Sequence, residues 1–184
     1  MLPPTPLNDA ATAVASALSQ AGIPFAFLGA FAVAIHGAPR FTADVDAIVD
    51  GSKMEVSELA AVLESTGLRG RLPDYVEFAR RNYVFLMEHP LSGVQIDVSL
   101  AYSPFEVAAI GRAGTHASLP VLTVEDLVIT KMVAFRPKDL IDVAALYKLH
   151  GFDKQRVLEQ LVPFVDDPER PEFGMDAKRF LDSL

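Results

Sequence analysis

Three aspartates stand where strand-forming apolar residues are expected. Asp44 and Asp46 are two apart in the run Asp44-Val45-Asp46-Ala47-Ile48-Val49. Residues i and i+2 of a strand point to one face, so these carboxylates project side by side and repel. A raised pKa, a basic partner or a bound cation must offset that repulsion. Asp97 lies between Ile96 and Val98 in a second strand-like run, Val94–Leu100. If the two strands pair, three hard oxygen donors converge on rigid elements. Such a set suits Mg²⁺, with waters and substrate phosphates completing its shell. Taken alone, Asp-x-Asp is common and more often marks the solvated edge of a strand.

Two further features bear on phosphate. Phe25–Leu28 reads as a buried strand, and Gly29-Ala30 opens a short helix over Ala30–Ile35. Backbone N–H groups at a helix start can hold an anion, and small residues let it approach closely. Tight strand–helix packing is the alternative. Lys131 falls on the inward stripe formed by Val124, Leu127, Val128, Met132 and Phe135. There it either snorkels outward or meets a negative partner, for which a triphosphate is the functional candidate. Asp139 and Asp142 share one face of the next helix. The favourable effect of acids near a helix start accounts for Asp139 better than for Asp142. Arg40, in the turn Gly37–Thr42, either pairs with a carboxylate of the aspartate strand or lies exposed.

The elements that position these residues follow from patterning. Met1–Leu7 reads as a loose, proline-rich arm, and Asn8 as the cap of a helix running to Ala21. Lys53–Glu64 has Val56, Leu59, Ala60 and Leu63 on one helical face. Residues 66–81 are ambiguous. Asn82–Met87 and Val94–Leu100 read as strands joined through the segment Glu88–Gly93. Pro104–Ile110 is a short helix. Helices then follow over Val124–Phe135, Pro137–Leu149, Asp153–Phe164 and from Phe173 onward. Strands early and helices late give an α+β layout, divided into a core over 1–120 and a helical part over 121–184 of one compact unit.

Composition limits the remaining possibilities. The 184 residues fit one domain with a full hydrophobic core. With no cysteine, disulfides, thiol nucleophiles, iron–sulfur clusters and cysteine-based zinc sites are excluded. The four histidines, at 36, 89, 116 and 150, have no metal-ligand spacing. There is no Walker A loop, dinucleotide fingerprint or nucleophile elbow. The formal charge of −8 is spread with no basic segment, which weighs against a long nucleic-acid partner. The local exception, Arg69, Arg71, Arg80 and Arg81, reads as a solvated face or as a dock for a tRNA end. Phe25–Ile35, the most apolar stretch, is far short of the ~18–20 residues of a spanning helix. No export signal precedes it, so a cytoplasmic protein without a membrane partner is expected.

Taken together, Phe27-Leu28-Gly29-Ala30, the following helix, His36-Gly37, Arg40, Thr42 and Asp44-Val45-Asp46 resemble the opening motif of the nucleotidyltransferase superfamily. They are most similar to the branch containing the AbiEii-type toxins. Gln95-Ile96-Asp97-Val98 is similar to its third-aspartate strand. Glu125 through Lys131, then Arg136-Pro137-Lys138-Asp139 and Asp142, are similar to its C-terminal motif. The match in order and spacing spans residues 25–149. This resemblance implies a small mixed sheet backed by helices, and transfer of NMP from NTP to an acceptor. Asp44 and Asp46 would bind two Mg²⁺ ions, and Asp97 would bind one of them and act as base. Gly29 and the amide of Ala30 would hold the triphosphate, Lys131 would neutralise it, Asp139 or Asp142 would complete the pocket, and Arg40 and Thr42 would support the aspartate loop. The acceptor could be a small molecule, a protein or a tRNA end, and an antitoxin protein is an expected partner. Ala30 stands where the family usually has Gly or Ser and offers no hydroxyl. That departure keeps open a binding module without catalysis, and a small-molecule enzyme such as an antibiotic adenylyltransferase is the third possibility.

Overall fold

A computed structural model of the chain describes residues 5–52, 54–165 and 169–184. The first helix, α1 (Pro6–Gln20), starts earlier than Asn8. Thr5 caps it by accepting the Asn8 N–H at 3.2 Å, and Pro6 sits in its first turn, where a missing N–H is harmless. Pro6 and Leu7 are therefore helical rather than part of a loose arm, while residues 1–4 of that arm lie outside the described residues. Gly22 ends the helix at a positive φ of 68°.

The strands are β1 (Phe25–Leu28), β2 (Asp44–Val49), β3 (Arg69–Gly70), β4 (Val84–His89), β5 (Val94–Leu100), β6 (Gly114–His116) and β7 (Leu119–Val121). They form one mixed sheet in the order β3-β4-β5-β2-β1-β7-β6. β2 runs parallel to β5 and antiparallel to β1, and β4 is antiparallel to β5. Four of these strands follow the sequence pattern. β3, β6 and β7 are too short to show a period. The strand expected from Asn82 begins at Val84, because Tyr83 closes the preceding helix α4 (Tyr75–Asn82) in the left-handed conformation.

Helices α2 (Gly29–Ile35), α3 (Val56–Glu64) and α5 (Pro104–Arg112) complete the first two-thirds of the chain. In α3 the Glu58 carboxylate accepts the Glu55 N–H at 3.2 Å, which satisfies a donor that the helix start would otherwise leave free. Lys53, expected to start this helix, lies outside the described residues. Helices α6 (Val124–Ala134), α7 (Pro137–His150), α8 (Lys154–Leu161) and α9 (Phe173–Ser183) make up the rest, with a 3₁₀ turn over Val162–Phe164.

The chain divides into two compact units. The first holds residues up to Ala32 and Phe41–Thr123, and the second holds Val33–Arg40 and Val124–Leu184. In the first, α1 contacts β2 and β5. Ala10, Val14 and Leu18 of α1, and Phe27, Val45, Phe85, Met87, Ile96 and Val98 of the strands, are buried. Each large side chain among them contributes about 1.5–3 kcal/mol by leaving water. The second unit buries Leu127, Met132, Val143, Leu146, Val157, Leu161 and Leu181. Phe135 meets Phe173 edge-on with ring centroids 5.5 Å apart. Here the excursion Val33–Arg40 is tied in by His150, whose Nε2 lies 2.8 Å from the His36 carbonyl oxygen. Among the described residues no helix is long and apolar enough to cross a membrane.

Candidate active site

In the first unit, at the end of β2 and β5 that holds Asp44 and Gln95, one sheet face is apolar and the other polar. Along β2, Val45 and Ala47 are buried while Asp44 is exposed and Asp46 half-buried. Along β5, Ile96 and Val98 are buried while Gln95 is exposed and Asp97 half-buried. Parallel pairing sets Asp46 opposite Asp97 and Asp44 opposite Gln95. The three aspartates therefore share one face, as their spacing predicts. Antiparallel pairing also sets Asp46 opposite Leu28, the last residue of β1, so the turn at Gly29 lies at the same end of the strands.

Gly29 has a positive φ of 68°, and a Cβ built on it would lie 1.9 Å from Asp46 Oδ2. Only a residue without a side chain lets the Asp46 carboxylate rest against this backbone. Helix α2 has only seven residues, so its dipole is weak, and the bare backbone of Gly29 is the more distinctive feature of the turn. Thr42 fixes the entry to β2: its hydroxyl donates to the Asp44 carbonyl at 3.0 Å and accepts the Asp44 N–H at 3.3 Å.

Arg71 takes a place the sequence pattern does not reveal. It follows β3, and its N–H donates to the Leu86 carbonyl of β4 at 2.8 Å. Leu86 lies opposite Asp97, so Arg71, Leu86, Asp97 and Asp46 form one row across the sheet. The side chain spans that row. Nη2 pairs with Asp97 Oδ1, and Nη1 donates to Gln95 Oε1 at 2.6 Å. Gly70 makes room for this edge, since a Cβ there would lie 2.3 Å from the Tyr75 ring. The Tyr75 hydroxyl donates to Glu64 Oε1 at 2.6 Å, and burial, then Glu64, push its pKa up to about 12. Burial also raises the Asp97 pKa above its ordinary value; Arg71 opposes that rise and the charge of Asp44 adds to it.

Donor type, shared face and strand register all fit a divalent cation held by carboxylate oxygens. Side-chain placement is less complete. Among the described residues no three carboxylate or imidazole groups are gathered closely enough to hold an ion. Instead of converging with its fellows, Asp97 is held by Arg71.

Lys131, Asp139, Asp142 and Arg40 belong to the second unit. Lys131 is buried and does not snorkel; its Nζ lies 2.7 Å from Asp142 Oδ2 and 3.5 Å from Asp139 Oδ1. Positions 139 and 142 are three apart on α7, which lets both reach one ammonium. Arg136 Nε donates to Asp139 Oδ2 at 2.6 Å. Arg40 Nε lies 3.3 Å from Asp142 Oδ1. The carboxylate that Arg40 approaches is thus Asp142 of α7, rather than an aspartate of β2. Burial pushes the Asp139 pKa up, but hydrogen bonding and charge from Arg136, with the charge of Lys131, bring it below its ordinary value.

Of the four arginines at 69–81, Arg80 and Arg81 both pair with Glu77, at 2.6 and 3.1 Å, as expected of a solvated helix face. The signal that could have exposed Arg71 is the i, i+2 pair Gln95 and Asp97, two polar groups on a strand face that needs a partner.

Comparison with known proteins narrows the reading. The family model described as nucleotidyl transferase AbiEii toxin, type IV TA system, matches residues 13–182. No curated protein matches the chain significantly by sequence. Among solved structures it is similar to the antibiotic-resistance factor ANT(2″)-Ia, at 18% identity and TM-score 0.58 over 85% of this chain and 89% of that one. An antigenic nucleotidyltransferase-like protein from Paracoccidioides brasiliensis is similar at 16% identity and TM-score 0.53, over 95% and 93% of the two chains. The Megavirus polyadenylate synthase matches at 11% identity and TM-score 0.52, over 90% of this chain and 39% of that one. At these identities the likeness shows a shared fold.

Proposed function

The chain belongs to the AbiEii nucleotidyltransferase toxin family of type IV toxin–antitoxin systems, and from that membership we propose that it transfers NMP from a nucleoside triphosphate to an acceptor, in a metal-dependent reaction. The observation that carries this reading is the alignment of Asp44, Asp46 and Asp97 on one strand face, with Asp46 resting against the bare backbone of Gly29. Asp44 and Asp46 are the residues that would hold two Mg²⁺ ions, with Asp97 completing the set. Bound there, the ions would supply charge neutralisation at the phosphates and at the attacking and leaving oxygens.

The chain's own groups do the rest. Gly29 and the amide of Ala30 give the triphosphate a close approach to backbone. Asp97 accepts the proton of the acceptor's nucleophilic group as that group attacks the α-phosphorus and pyrophosphate leaves. Thr42 keeps the entry to β2 in place. In the second unit, Lys131, Arg40 and Arg136 set three cationic groups against the carboxylates of Asp139 and Asp142. Lys131 is the group this cluster would offer to phosphate. Family membership makes a cognate antitoxin protein the natural partner, with the acceptor a small molecule, a protein or a tRNA end.

The test is incubation of the protein with α-labelled NTPs, Mg²⁺ and a cell extract. A labelled product is expected, and Asp46→Asn should lower labelling roughly a hundredfold or more. Labelling that survives Asp46→Asn unchanged would refute the reading. Ala30, which has no hydroxyl to offer a phosphate, favours a second reading: a nucleotide-binding component without catalysis. That reading predicts NTP binding with no release of pyrophosphate.

A further inference from the structure

Arg71 is held at its base and satisfied at its tip by the carboxylate face itself. Its backbone N–H is bonded to Leu86 at 2.8 Å, so the main chain is fixed at the sheet edge. Its two terminal nitrogens meet Gln95 and Asp97, the i and i+2 positions of β5. Its Nε is buried and has no hydrogen-bond partner. The guanidinium therefore takes up an Asp97 oxygen while leaving one of its own donors unmet.

Asp97 is the register partner of Asp46. A divalent cation drawing on both carboxylates would bring two positive groups to Asp97 at once, and like charges at that range repel, so each weakens the other's hold. We propose that Arg71 is a positioning residue that occupies Asp97 in place of a divalent cation, so that loading the carboxylate face requires the guanidinium to let go. The proposal rests on the reading of Asp44, Asp46 and Asp97 as cation ligands. It adds a resident competitor to them. Cation affinity is then set by an exchange of partners at Asp97, with Arg71 anchored by its main chain and free to move only beyond its Cα.

The test uses the full chain with Mn²⁺ alone as the probe, free Mn²⁺ being read by electron paramagnetic resonance. Arg71→Gln should bind Mn²⁺ about tenfold more tightly than the parent protein, because the competitor for Asp97 is gone. Arg71→Lys keeps the charge but cannot fork between Gln95 and Asp97, and should fall between the two. Asp97→Asn should remove the difference between the parent and Arg71→Gln. Equal or weaker Mn²⁺ binding by Arg71→Gln, with binding still lost in Asp46→Asn, would overturn the competition while leaving the metal site intact. Mn²⁺ binding indifferent to Asp46→Asn would overturn both. A second measurement needs no variant that must fold on its own. During Mg²⁺ titration of the parent protein the Arg71 Nε–Hε resonance should move as the site fills, and a stationary signal at saturation overturns the proposal.

Discussion

Gly29 and Lys131 show what a single position can control. At Gly29 an added methyl meets two obstacles: a backbone at φ 68° and an oxygen of Asp46 1.9 Å from the new carbon. Gly29→Ala should therefore lower stability by about 1–2 kcal/mol through the left-handed backbone, and move Asp46 as well. Thermal melts measure the first effect. Loss of Mn²⁺ binding beyond what the melting shift explains measures the second. At Lys131 the issue is charge without water. Lys131→Met leaves Asp142, whose side chain is 3% exposed, without its nearest cation, and breaking a buried pair from one side costs about 3–5 kcal/mol. Adding Asp142→Leu should recover part of that loss, as denaturant titration of the single and double variants will show. The face shared by Asp44, Asp46 and Asp97 was legible because strands have a period of two. The partners of Lys131 were not, since an inward lysine on α6 predicts a negative neighbour without naming it.

At the scale of elements, long patterned segments were legible and short ones were not. β2 and β5 follow their alternation, β1 its apolar run, and α6 and α7 their expected bounds to within a residue, whereas α8 stops at Leu161 and a 3₁₀ turn takes the expected stretch to Phe164. Residues 66–82 hold a two-residue strand and an eight-residue helix, neither long enough to display a period. Arg71 was hidden for that reason: its role depends on pairing β3 with β4 and β4 with β5, which no local pattern carries. The β6–β7 hairpin was hidden by its short strands and also by its turn. Its two-residue loop, Ala117-Ser118, takes φ 48° and 76°, the left-handed pair that usually calls for Asn-Gly. Neither residue suits the conformation, so the turn carries no sequence signal and stores strain. Ala117→Asn with Ser118→Gly should raise stability by about 0.5–1 kcal/mol per position. The unfolding midpoint in urea should rise with no change of slope.

For the whole molecule, the acid limb of stability is the informative measurement. Asp139 has a folded pKa below its ordinary value, through Arg136 and Lys131 acting against burial. A depressed folded pKa stabilises the protein above the unfolded value near ~3.9, and that contribution is lost as pH falls through the folded one. Stability should therefore be insensitive to Asp139 at neutral pH and decline below about pH 4. Arg136→Gln removes the largest force holding that pKa down, and should move the acid-unfolding midpoint to higher pH. Circular dichroism from pH 2 to 7 checks this. The change should be small, because the Arg136 side chain is 59% exposed and water screens the pair.

The division of the chain also has a consequence for its synthesis. Val33–Arg40 belongs with residues from Val124 onward, although it is made before the last six strands of the sheet. The ribosome must add roughly 80 residues between Arg40 and α6, several seconds of work at about 5–20 residues per second. Throughout that interval Val33, fully buried in the finished protein, waits without its helices. The sheet that carries the three aspartates has all its strands once Val121 has emerged. The unit containing Lys131 can close only after α6 and the helices that follow it are made and return to Val33–Arg40.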